Sequence, residues 1–293
     1  MRGAPGEAAL SAARGFGVVA GLPRDVAAPL AGRCAELGYS SLWATDHPTA
    51  DGLGTLAALA TAATDLELGV GILALDRHRP DAIGRRVDEL GLNPKRLLLG
   101  VGAGFSSRPL TLMRRELPEL RAALPGVRLI LAALGPRMCE LAGAGYDGVL
   151  VDWPTPASAE LAAARVDAGA GAAGRAAPPV LGYVRAAVGA DAETRLAKDE
   201  GFYRRLHGGY RAHFQRLGAE SGTVGVQSER EAEIGPALAD YKALDPLIVR
   251  ALARPKLGPL VRLAEAAAPR PPGLLLVGKR AAGEEQEPNP EGG

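Results

Sequence analysis

A chain of 293 residues is long enough to bury one large α/β core or two modest ones. Its 34 basic and 33 acidic residues leave a formal charge of +1, which excludes the strongly basic footprint of a nucleic-acid or anionic-membrane binder. Cys34 and Cys139 form no CxxC pair, no signal peptide is recognisable, and no apolar run approaches the roughly 18 residues of a membrane span, so two buried structural thiols in a reduced, cytoplasmic setting are expected.

In chain order, strand and helix signals alternate. Phe16–Val19 reads as a first strand and Asp25–Leu37 as a helix stopped at Gly38. Ser41–Thr45 is the second strand, and Thr55–Thr64 the helix after it, with Thr55 as its cap. Leu66–Leu73, Arg96–Val101, Arg128–Ala132, Gly148–Val151 and Val180–Val188 continue the strand series, with helical patterns at 79–90, 111–123, 136–143 and 158–168 between them. A last strand falls at Pro246–Ala251 and a last helix at 259–267. Eight such units in about 250 residues point to a closed (β/α)8 TIM barrel over 15–268, where an open doubly wound sheet would end near five to seven strands.

The remaining segments break this rhythm. Residues 1–14 and the Gly/Pro/Glu-rich 279–293 have the composition of disordered ends. Residues 191–222 form a helical insertion after strand seven, split at Gly208–Gly209 and carrying Tyr203, Tyr210, Phe214, His207 and His213. It is placed to cover the barrel mouth or to build a subunit contact, so a homodimer is one expectation.

Three apolar runs end in unusual residues: LWATDH at 42–47, LELGVGIL at 66–73 and RLLLGVGAG at 96–104. Ligand chemistry in parallel α/β proteins gathers at the ends of strands, where loops vary while the sheet does not. Common motifs are absent: Gly100, Gly102 and Gly104 miss the third glycine of a dinucleotide loop, and there is no P-loop, no GxSxG and no HExxH. The four histidines, at 47, 78, 207 and 213, lack zinc-ligand spacing, and no metal site is expected.

Taken together, Trp43-Ala44-Thr45-Asp46-His47, the Thr-Leu-Ala-Ala-Leu-Ala stretch at 55–60, Leu-Gly-Val-Gly-Ile-Leu at 68–73, the Arg-His-Arg-Pro turn at 77–80 and Leu-Gly-Val-Gly-Ala-Gly at 99–104 resemble the bacterial luciferase-like superfamily. Ala132-Ala133-Leu134-Gly135-Pro136 and Tyr146-Asp147-Gly148 match as well. That superfamily comprises flavin-dependent monooxygenases and oxidoreductases that use the deazaflavin coenzyme F420. The resemblance implies a barrel holding the ring at its C-terminal mouth, with a non-prolyl cis peptide at Gly71–Ile72 facing a pocket bounded by Asp46, Gly102 and Gly135.

By the same resemblance, Asp46 and His47 are the catalytic pair, able to supply or accept the proton that accompanies hydride transfer. Gly71, Ile72, Gly102 and Gly104 face the ring. Ala133, Leu134, Gly135 and Arg137 hold the cofactor phosphate at a helix start where Pro136 leaves free amides, although Leu134 replaces the commoner glycine. Asp152, Trp153, Arg185 and Arg250 are further strand-end candidates; both arginines fit either an anionic ligand or a barrel-mouth ion pair. Trp43, Phe105 and Trp153 are the aromatics available to stack on a ring. The implied activity is F420-dependent hydride transfer to or from a small organic substrate, with FMN-dependent monooxygenation or a cofactor-free binding role as the alternatives.

Overall fold

Strands that are apolar on both faces must be covered on both, and this chain covers them by returning a helix after each strand. In the computed structural model, which describes residues 13–269, the order is β1 (Arg14–Val18), α1 (Arg24–Glu36), β2 (Ser41–Ala44), α2 (Gly52–Ala60), β3 (Glu67–Ala74), α3 (Pro80–Glu89), β4 (Leu97–Gly102) and α4 (Pro109–Ala123). Then follow β5 (Arg128–Ala133), α5 (Pro136–Gly145), β6 (Gly148–Asp152), α6 (Pro156–Ala172), β7 (Val180–Val188), α7 (Ala192–Leu206), α8 (Gly208–Leu217), β8 (Val226–Ser228), α9 (Ile234–Leu238), β9 (Leu247–Ala251) and α10 (Leu257–Ala266). Among the described residues no helix is long and apolar enough to cross a membrane. The segments expected to be disordered lie outside the described residues, except for Ala13 and Arg14, and Arg14 opens β1.

All pairings are parallel, and β1 to β7 with β9 close on themselves through β6–β7, β7–β9 and β9–β1. The eight-strand barrel expected from the sequence is therefore present. The short β8 lies outside the ring, paired to the far end of β7. Neither β8 nor α9 is signalled in the sequence: three residues carry no legible period.

Inside the ring, Trp43, Leu98, Ile130, Leu150, Leu181, Tyr183 and Ile248 form one apolar cluster joined by Ile72. Trp43 is wholly buried at its centre, its Nε1 donating to Ser41 Oγ at 2.9 Å and its ring edge-on to Tyr183 at 5.9 Å. Glycine makes the room: a Cβ at Gly69 would stand 2.2 Å from the Trp43 ring. The second, larger core lies between strands and helices and includes Cys34 and Cys139, both free thiols. Burial pushes the Cys34 thiol far above its ordinary range and the Cys139 thiol up to about 11.

Several helix starts share one device. Proline is the first residue of α3, α4, α5 and α6, where its missing N–H is not required and its φ suits the turn. One cap differs from expectation: α2 begins at Gly52, and its cap is Asp51, which accepts from Gly54 N at 2.9 Å. Thr55 lies a turn inside, where its Oγ1 donates to Asp51 O and accepts from Gly21 N, tying α2 to the β1–α1 loop.

Candidate functional site

A cavity of about 710 Å³ opens at the C-terminal ends of the strands. That volume lies within the usual range for a cofactor or small-ligand site. Its lining includes Asp46, Gly71, Ile72, Gly102, Gly104, Ala133, Leu134, Gly135 and Arg137, so nine of the ten residues expected as the catalytic pair and the cofactor contacts share one chamber. His47 does not line it. The chain turns at Pro48–Thr49, with His47 and Ala50 exchanging backbone hydrogen bonds, and the exposed His47 ring bonds Thr49 Oγ1 through Nδ1 at 3.0 Å.

Asp46 is held from several sides. Its Oδ1 accepts from Gly52 N, at the start of α2, at 3.1 Å. The helix end favours a negative charge at that point. Its Oδ2 lies 2.9 Å from His78 Nε2 and 3.6 Å from Arg77 Nη2, both from the β3–α3 turn. The imidazole that meets Asp46 is therefore that of His78, and the side-by-side reading of Asp46 with His47 is corrected accordingly: consecutive residues at a strand end diverge, because side chains alternate and Pro48 turns the chain away.

The cavity floor is set by β3. Its register with β4 shifts between Val70 and Leu73, a bulge that turns Gly71 and Ile72 into the chamber, and the Gly71–Ile72 peptide is cis. Tyr183 packs under this point: a Cβ on Gly71 would stand 2.5 Å from its Oη. That hydroxyl is buried and has no protein partner. On the next strand end Gly104 has φ +58°, a conformation glycine adopts freely, and a side chain there would collide with Asp76, which accepts from Phe105 N at 2.8 Å.

The β5–α5 turn forms another wall. Gly135 precedes α5 without a side-chain cap, and Pro136 opens the helix. Arg137 and Arg216, both exposed and without a carboxylate partner among the described residues, line the cavity beside it. Arg216 Nη2 donates to Leu134 O at 2.5 Å. His213 faces the same carbonyl through Nδ1 at 3.2 Å and Trp153 O through Nε2 at 3.0 Å. Burial lowers the His213 pKa, and a neutral ring donates to one of these carbonyls at a time.

The insertion covers the mouth, with Tyr203, Leu206, His207 and Tyr210 of α7 and α8 lining the cavity. It breaks at His207, whose Nδ1 accepts from Gly209 N to cap α8. Arg185, 2% exposed, fastens this cover to the barrel. Its guanidinium pairs with Asp152, lies 3.6 Å from Asp199 of α7, and sits over the rings of Trp153 at 4.1 Å and Tyr203 at 4.9 Å. Burial opposes the charge, but the carboxylates more than offset it and hold the Arg185 pKa above its ordinary range. Tyr210 donates its hydroxyl to Asp152 Oδ2 at 2.7 Å. Glu200 of α7, fully buried, accepts from Arg204 and from the amides of Gly222 and Val224.

Of the two strand-end arginines, Arg185 is the barrel-mouth ion pair. Arg250, its register neighbour on β9, is 6% exposed, donates to Ala251 O at 2.7 Å and does not line the cavity. The aromatic expectation needs correction too: Trp43 fills the barrel and Trp153, with φ +52°, is buried under the insertion, so only Phe105 of the three reaches the chamber. Tyr183, Tyr203 and Tyr210 take that place. Tyr203 and Tyr210 belong to the insertion expected over the mouth, whereas Tyr183 was passed over although the period-two alternation of Leu181, Tyr183 and Arg185 on β7 signals it, and His78 although its turn string does.

This set of groups fits a flavin-type cofactor. It offers a glycine-lined floor with an unpaired hydroxyl beneath it and a helix start flanked by two arginines for an anionic tail. Residues 111–253 match the family model of the luciferase-like monooxygenases. The chain is 27% identical to a 5,10-methylenetetrahydromethanopterin reductase of Methanolobus tindarius over 48% of its own length, and it spans about half (54%) of that relative. An F420-dependent secondary alcohol dehydrogenase superposes with a TM-score of 0.66 at 15% identity, covering 88% of this chain and 99% of that one. The coenzyme F420-dependent tetrahydromethanopterin reductase of Methanopyrus kandleri gives 0.61 at 15% identity, covering 88% and 98%. A long-chain alkane monooxygenase gives 0.64 at 12%, covering 88% and 90%. At such identities these structures speak for the fold, while the family match covers residues 111–253. The chain is therefore a TIM barrel, similar over residues 111–253 to the luciferase-like monooxygenases.

Proposed function

We propose that this protein is a luciferase-like oxidoreductase that binds coenzyme F420 at the barrel mouth and passes a hydride between it and a small organic substrate. One observation carries the reading: a single chamber joins the glycine-lined β3 bulge, the Asp46 carboxylate and the uncapped start of α5. Bound there, the deazaflavin would supply or accept the hydride. Gly71, Ile72, Gly102 and Gly104 would face its ring, and Ala133, Leu134 and Gly135, with Arg137 and Arg216, would hold its phosphate-bearing tail. Asp46 Oδ2 would give or take the matching proton at the substrate, a carboxylate being able to serve in either direction. The tyrosines of α7 and α8 would exclude water from above. The F420-dependent dehydrogenase and reductase among the structural relatives support the choice of cofactor.

A second reading, FMN-dependent monooxygenation, is favoured by the covered mouth, since oxygen chemistry needs a dry pocket, and by the name of the matching family. Titration of the purified protein with F420 and with FMN, followed by absorbance and fluorescence, separates the two. Micromolar binding of F420 with weak or no binding of FMN is expected. The reverse selects the monooxygenase reading, and binding of neither leaves a barrel with a binding role.

A further inference from the structure

Two cavities meet at one carboxylate. Besides the large chamber, Asp46 lines a second cavity of about 540 Å³ between the β2–α2 loop and α3. His78 lines only this second cavity. Its Nε2 stands 2.9 Å from Asp46 Oδ2, and the two side chains differ sharply in exposure, 34% for His78 against 5% for Asp46. A carboxylate only accepts, so Nε2 carries the hydrogen and Nδ1 is the acceptor of the neutral ring.

The other charged groups around this pair have fixed roles. Arg77 lies 3.6 Å from the same Oδ2; Asp51 is paired with Arg86 at 2.6 Å; His47 is bonded to Thr49. His78 is thus the one imidazole in contact with Asp46 among the described residues.

We propose that His78 is the positioning residue for Asp46 and its proton relay to solvent, passing protons between the two cavities. To load Asp46, Nδ1 takes a proton from water in the second cavity as the Nε2–H moves to Oδ2; Asp46 then gives that proton to the substrate, and the opposite direction reverses each step. One proton thus passes from water to substrate, hydroxide leaves through the second cavity, and the ring, left with its hydrogen on Nδ1, regains the Nε2–H form by proton exchange with that water. This rests on the reading of Asp46 as the acid–base group under the proposed function.

The test uses His78→Gln and His78→Ala. Glutamine keeps an N–H to orient the carboxylate but cannot exchange protons, so orientation alone predicts rescue by Gln and a relay predicts none. With F420 reduced beforehand and menadione as acceptor, both variants are expected to turn over at least about tenfold more slowly, with F420 affinity within about twofold of the parent and imidazole partly restoring the Ala variant. Full activity in His78→Gln overturns the relay. A second arm needs no cofactor: in side-chain nitrogen NMR of the histidine-labelled protein, Asp46→Ala should move the His78 signals out of the Nε2–H pattern and leave His47 unchanged. Unmoved His78 signals overturn the pair itself. If the parent binds no F420, the function reading fails and the relay with it, while the NMR arm still decides whether His78 and Asp46 are paired.

Discussion

Asp46 and Asp152 stand at corresponding places, each at the end of a barrel strand and each lining the same chamber, yet they are held in opposite ways. Asp152 is consumed: Arg185 pairs with it, Tyr210 donates to it, and Trp153, Tyr203 and Asp199 close around the guanidinium. Asp46 is poised. It has one backbone donor, one imidazole and a distant arginine, and it borders two cavities. The same residue type at the same kind of strand end therefore becomes a rivet on one side of the barrel and a carboxylate open to two cavities on the other, according to how many partners the neighbouring loops bring.

The sharpest way to break this contrast is Arg185→Ala. Removing one partner of a buried pair leaves its carboxylates uncompensated and should cost about 3–5 kcal/mol in denaturant unfolding. A loss below about 1 kcal/mol would put Arg185 in the class of exposed pairs and end the contrast. On the other side, Asp46→Asn keeps an oxygen for Gly52 N, so the fold should be little affected while turnover falls by about 10²-fold, the scale of a lost general acid or base. Near-parental turnover would make Asp46 structural too.

His47→Ala sharpens the contrast within the β2 end itself. Since its ring is exposed and outside the chamber, turnover should change a few-fold at most and stability by no more than about 0.5 kcal/mol. A loss as large as that of Asp46→Asn would return His47 to the site.

The smallest effect concerns pH and the cover. Burial lowers the His213 pKa from 6.5, so the folded state binds fewer protons there than the unfolded chain. Its contribution is complete above about pH 6.5 and is lost as pH falls through the lower folded value. The difference in unfolding midpoint between the parent and His213→Gln should therefore shrink on acidification. A difference that is constant or growing would refute the assignment.

The fold was legible because its signals are local and repeated. Apolar runs buried on both faces, prolines at helix starts and glycines at strand ends are each written in a few neighbouring residues. That strand ends carry the site was legible for the same reason, while the particular glycines and the Gly71–Ile72 position came from the resemblance of the motif strings to a known family. The extra strand β8 was not, since a three-residue pairing depends on the edge that β7 happens to offer.

By itself, then, the sequence determined the barrel, the strand ends that bound the chamber and the start of α5, because these depend on strand period and turn chemistry. Only the tertiary structure decided which side chains face one another. It turned His47 outward and brought His78, 32 positions away, onto Asp46. It buried Trp43 and Trp153 and left the chamber to tyrosines, and it joined Asp152 to an arginine 33 positions on. Such pairings arise where loops from different strands converge at one end of a closed ring, and sequence distance carries no record of that convergence.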